Sequence, residues 1–186
     1  MGNNILGGNK RRVDLTKGRS MGEGVRWVDK QGKPLPDKTM EAFGAKKLTG
    51  GWHSESVWLL PDGKTVEKRY GDGDDRLERM RIEVKILERL KDCDFVPKLL
   101  DVDRKNRIVR MTYCGTKAEE TIRLRKILHK LLKTLEDKYG VYRPTNVGKR
   151  FYQLQGNVTT DGNKFYIIDF GSDHWQIRDP KPVSPQ

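Results

Sequence analysis

The stretch Gln155-Gly156-Asn157-Val158-Thr159-Thr160-Asp161-Gly162-Asn163-Lys164-Phe165-Tyr166-Ile167-Ile168-Asp169-Phe170-Gly171 decides how the rest of the chain is read. Val158-Thr159 and residues 165–168 are rich in β-branched and aromatic side chains, which suit strands. Asp161-Gly162-Asn163 between them are turn formers. The pattern predicts a β-hairpin. Asn157 stands before it and Asp169 after it, 12 positions apart (169 − 157).

Upstream, the longest predicted helix covers residues 117–139. Leu124, Ile127, Leu128, Leu131, Leu132 and Leu135 form its buried face. Thr116 with Glu119 makes a capping-box signature, and Gly140 sits where a left-handed stop belongs. Residues 99–102 and 107–112 predict a second hairpin around Asp103-Arg104-Lys105-Asn106. A helix over 76–90 carries Leu77, Met80, Val84 and Leu87 at three- and four-residue steps. Val57-Trp58-Leu59-Leu60 and residues 65–70 predict a first hairpin, turned by Pro61-Asp62-Gly63-Lys64. The expected order is hairpin, helix, hairpin, helix, hairpin, which is an α+β chain without internal repeats.

With 186 residues the chain fits one domain with extensions. Its 38 Lys and Arg against 26 Asp and Glu leave a net charge of +12, which favours an acidic surface or nucleic acid as partner, or acts only as solubilising charge. No apolar run approaches the ~20 residues of a membrane span. Cys93 and Cys114 lack metal-type spacing and point to a reducing compartment, cytoplasm or nucleus. Residues 1–47 read as a basic, Gly-rich extension with scattered apolar residues and order starting near Lys47. Such a segment fits docking on a protein partner or a large assembly. Residues 176–186 form a Pro-rich tail.

From about position 47 to Gly171, two thirds of the chain, these residues resemble the protein kinase superfamily. The resemblance implies an N-lobe over 48–115, an antiparallel sheet plus one helix. It also implies a truncated, mainly helical C-lobe over 116–175 carrying the Asp-Phe-Gly motif. Gly50 and Gly51 look like a degenerate glycine-rich loop over phosphates, although an ordinary tight turn reads the same. Lys68 resembles the lysine that meets the α- and β-phosphates of ATP, and Glu83 its helix partner. The alternatives are a solvated Lys68 and a Glu83 paired with Arg79 one turn away. Thr112, Tyr113 and Cys114 look like the adenine-binding hinge, with Met111 at a gate behind it. Asn157 and Asp169 correspond to the Mg²⁺ ligands.

The departures are equally specific. Tyr152 occupies the position of the catalytic Asp and is neutral at pH 7. No Asp or Glu lies between Gly140 and Asn157. The sequence runs only 15 residues beyond Gly171 (186 − 171), too few for an activation segment and peptide-binding helices. The leading expectation is a pseudokinase that retains an ATP and Mg²⁺ site and acts by binding or scaffolding. The alternatives are a structural component such as a virion minor capsid protein, and an active atypical or small-molecule kinase.

Overall fold

A computed structural model describes residues 27–48, 56–143, 155–172 and 174–179. Gly50, Gly51 and Tyr152 lie outside these residues, as do the first 26 positions and the Pro-rich end from 180 onward. The centre is a five-stranded antiparallel sheet of β1 (Lys46–Lys47), β2 (Ser56–Leu59), β3 (Thr65–Arg69), β4 (Leu99–Asp103) and β5 (Ile108–Thr112). The strand order is β1-β2-β3-β5-β4, so the first two predicted hairpins interlock through β3 and β5. Asp62 builds the β2–β3 turn by accepting the Lys64 and Thr65 N–H groups, and Gly63 supplies the positive φ of 66°.

Helices precede, interrupt and follow these strands. Helix α1 (Asp37–Ala42) precedes β1, α2 (Asp74–Arg89) follows β3, and α3 (Ile122–Tyr139) follows the sheet. Beside α3, β6 (Thr116–Lys117), β8 (Val158–Thr160) and β9 (Phe165–Ile167) form a three-stranded sheet, the predicted third hairpin plus one strand. β7 (Val141–Tyr142) pairs with β10 (Gln176–Ile177). The architecture is α+β.

Two boundaries differ from the sequence reading. The capping box at Thr116 does not form, because Thr116 and Lys117 pair with Thr160 and Thr159. Helix α3 starts five residues later, where the extended Thr121 accepts the Leu124 N–H on its hydroxyl. At the other end Gly140 adopts φ 67°, the left-handed stop expected of it. Order also begins well before Lys47. Met40, Ala45, Trp58 and Leu60 form a small buried cluster, joined by Trp27 and Leu35. The apolar residues that look scattered over 27–45 find their partner on the outer face of β2, which no local pattern announces.

The main core lies on the other face of the sheet. Met80, Val84 and Leu87 of α2 meet Val109 and Met111 of β5, and Leu124, Leu128 and Leu135 of α3 continue it toward Phe170 and Trp175. Among the described residues no helix is long and apolar enough to cross a membrane.

Candidate functional site

Strand β3 places ionic groups on both of its faces because side chains alternate every residue. Lys68 points toward the core face, where α2 and the β8–β9 hairpin approach. Its Nζ lies 3.1 Å from Glu83 Oε2 and 2.6 Å from Asp169 Oδ1. Residues 15 and 101 positions away in sequence thus meet at one ammonium. Glu83 is 1% exposed and forms its ion pair with Lys68 rather than with Arg79 on its own helix. The same carboxylate accepts the Tyr70 hydroxyl on Oε2 and the Phe170 N–H on Oε1 at 3.2 Å. Glu83 therefore ties β3, α2 and the Asp-Phe-Gly corner together.

The corner is sterically tight. Asp169 adopts φ 62°, a region few non-glycine residues enter, with Asp among the more tolerant. A Cβ at Gly171 would stand 3.0 Å from the Tyr70 hydroxyl oxygen and 3.4 Å from the Arg79 carbonyl oxygen. Glycine allows this close approach. The Tyr70 ring also stands 5.4 Å from the Lys68 ammonium.

Burial alone would push the Lys68 ammonium toward neutrality, but the Glu83 charge, with Tyr70 and Asp169 behind it, outweighs burial and raises its pKa well above the ordinary value. Burial first, and then the Glu83 charge, raise the Tyr70 phenol far out of its usual range, so Tyr70 is a neutral donor. Among the described residues, the Lys68 ammonium is shared by the Glu83 and Asp169 carboxylates. Of the three side chains only Asp169 reaches solvent appreciably, at 24% exposed.

Asn157 ends a single 3₁₀ turn, Gln155–Asn157. The β8–β9 register pairs Val158 with Ile167, and the Asn157 carbonyl accepts the Ile168 N–H at 2.9 Å. Asn157 and Asp169 therefore emerge at the same end of the hairpin. An amide and a carboxylate are hard oxygen donors, suited to Mg²⁺ that completes its shell with phosphate oxygens and water. Among the described residues no group of three or more His, Cys, Asp or Glu could hold a metal.

Two backbone N–H groups of the hinge-like stretch are already paired. The β3–β5 ladder runs one residue past the strand ends, so the Tyr113 N–H donates to the Lys64 carbonyl at 2.6 Å. The Thr112 N–H donates to the Lys98 carbonyl at 2.9 Å. Neither is available to an adenine. Cys114 is buried, its Sγ 3.7 Å from the Thr112 carbonyl, and burial pushes its thiol up to about 11. Gly115 (φ 82°) follows, where a Cβ would fall 2.0 Å from the Thr160 carbonyl oxygen.

Sequence reasoning misses Tyr70 and a second ion cluster. On the outer face of β3, fully buried Glu67 accepts Arg69 Nε at 2.8 Å and Arg110 Nε at 2.9 Å. Arg110 Nη1 also reaches Asp101 Oδ2 at 2.6 Å, and Arg69 Nη1 donates to the Leu35 carbonyl. A signal was present: Arg110 sits inside the apolar run Ile108-Val109-Arg110-Met111, and a buried cation requires a counter-ion.

No protein-family model matches the chain, and no curated protein matches it. Among solved structures, the streptomycin–ATP ternary complex of APH(2")-IIa superposes with a TM-score of 0.45 at 14% identity, covering 78% of this chain and 73% of that one. The gentamicin complex of the same protein gives 0.45 at 13% identity, over 78% and 72%. At this overlap the likeness is distant and carries neither substrate nor reaction across.

Proposed function

We propose that Lys68, Glu83, Asn157 and Asp169 form a Mg²⁺-dependent nucleotide-phosphate site of the protein-kinase type, in a chain that acts by binding or scaffolding. The observation that supports this most is the ammonium of Lys68 held between Glu83 and Asp169. Bound Mg²⁺ would neutralise phosphate oxygens beside the Asp169 carboxylate. Asp169 and Asn157 offer the metal their oxygens, Lys68 offers its ammonium to the phosphates, and Glu83 fixes Lys68 with Tyr70 steadying it. Any adenine contact at 112–114 falls to Cys114 and the backbone carbonyls.

Phosphate transfer needs a group that orients the attacking hydroxyl. At the corresponding position stands Tyr152, a neutral phenol, and no carboxylate lies between Gly140 and Asn157. Binding without efficient transfer is the consequence. A protein partner or a large assembly, such as a virion, would engage residues 1–26, since 27–48 already cover the chain's own sheet.

Thermal unfolding with and without Mg-ATP tests this. The wild type should be stabilised by Mg-ATP, much less by ATP with chelator, and Lys68→Ala should show neither shift. No shift in the wild type overturns the proposal. Transfer of labelled phosphate that vanishes in Asp169→Ala would replace it with an active kinase.

A further inference from the structure

The two long helices treat their own dipoles in opposite ways. Helix α2 begins with Asp74 and Asp75 and ends with Arg89, an arrangement that stabilises a helix. Helix α3 has no acid in its first turn and carries Arg123 there instead. Across residues 121–135 there are five Lys and Arg and no Asp or Glu. At 100° per residue Arg123, Lys126 and Lys130 fall within about 60° of one another, opposite the buried Leu124, Leu128 and Leu135. All three are exposed, and among the described residues none has an ion pair. Arg125 and Lys133, by contrast, pair with Glu120 and Asp137. Local stability does not account for this stripe: exposed helix faces gain from alternating charge, and cations near the N-terminus oppose the dipole.

We infer that the Arg123–Lys126–Lys130 face of α3 binds the phosphate backbone of a nucleic acid. The stripe is about 10 Å long at 1.5 Å rise per residue, an extended row of unneutralised cations. A phosphate backbone is recognised by such a row without apolar anchors. A membrane surface would call for aromatic and aliphatic residues beside the cations, and an acidic peptide for an apolar pocket. The stripe is flanked only by Ile122 (75% exposed) and the half-buried Ile127, and no Phe, Trp or Tyr stands beside it among the described residues. The net charge of +12 adds long-range attraction of the same sign. The inference stands apart from the nucleotide site, since α3's stripe faces away from the core.

The experiment is fluorescence anisotropy with a labelled duplex and its single strand, using the full chain over a range of salt. The wild type is compared with Arg123→Gln/Lys126→Gln/Lys130→Gln and with a charge-matched control, Lys30→Gln/Arg104→Gln/Lys105→Gln. On the duplex, the α3 variant should lower the slope of log K against log salt by about 2.7, at about 0.9 per phosphate contact. Between about 50 and 200 mM salt the wild type should then lose about forty-fold more affinity than the α3 variant. The control should keep the wild-type slope, and the α3 variant should unfold at or above the wild-type temperature. Equal losses in both variants would overturn the inference in favour of diffuse charge. So would absence of nucleic-acid binding, or binding only to phosphatidylserine vesicles or polyglutamate.

Discussion

The two faces of β3 hold the same kinds of groups to different ends. On the outer face Arg69 and Arg110 are matched by Glu67 and Asp101, and Arg69 also reaches Asp37, itself paired with Lys47, three cations to three anions. On the inner face one cation, Lys68, meets two anions, Glu83 and Asp169. The outer cluster is balanced and its buried cations are arginines, which stay charged at any ordinary pH. The inner one has as its cation a lysine that titrates, and its outermost carboxylate, Asp169, sits in a strained conformation. Balance suits a cluster whose task is to hold a strand and the 27–48 segment together. Strain of the kind at Asp169 concentrates where groups must be presented to a ligand.

The strongest way to break the comparison is to remove the centre of the outer cluster. Glu67→Ala should cost about 3–5 kcal/mol by urea denaturation, because it removes the one fully buried carboxylate shared by two buried guanidinium groups. A loss below about 1 kcal/mol would mean that Asp101 and solvent suffice and that the outer face is not a closed structural unit. Next, Tyr70→Phe removes a neutral donor to a buried carboxylate and should cost about 1.5–3 kcal/mol. It should also weaken the Mg-ATP stabilisation, since Glu83 loses a support.

Asp169→Asn sharpens the contrast from the inner side. It removes the Asp169 charge while Lys68 keeps its pair with Glu83, and Asn also tolerates positive φ. Stability should change by less than about 1 kcal/mol, while the Mg-dependent shift disappears. If unfolding instead shifts as far as in Glu67→Ala, the inner cluster is as structural as the outer.

Alkaline titration separates lysine from arginine. The folded pKa of Lys68 is raised above the ordinary 10.5, so its contribution is fully present below 10.5 and is lost as pH rises through the folded value. The stability gap between wild type and Lys68→Met should be constant at neutral pH and narrow above 10.5. A pH-independent gap would refute this. The smallest effect belongs to the hairpin tip. The Tyr166 hydroxyl, then the Lys164 and Asn163 N–H groups, lower the Asp161 pKa from 3.8 to about 2. That contribution is present above pH 3.8 and fades as pH falls through about 2. The small deficit of Asp161→Asn should vanish over the same range in acid denaturation.

Much of this was readable along the chain, for local reasons. Asp62-Gly63 and Asp161-Gly162 announce their turns, and Gly140 its helix end, because backbone preferences act over a few residues. The capping box at 116–119 shows the limit: a favourable local signal gave way when Thr116 and Lys117 found strand partners 44 and 42 positions away. Lys68, Glu83 and Asp169 were recognised from their order, but only coordinates place an ammonium between the two acids. Tyr70 and Glu67 left no functional trace, since a phenol ending a strand reads as an ordinary core residue and an acid within one as a solvated residue until the surface covering them is known.

By itself, then, the sequence determined the succession of hairpins and helices and the excess of positive charge, set by composition and by neighbours within a turn or two. Tertiary structure decided which charges are buried, which of them meet, and which N–H groups at 112–113 are already taken. Burial, and with it the strength of every ionic contact, depends on surfaces contributed by residues far apart in the chain.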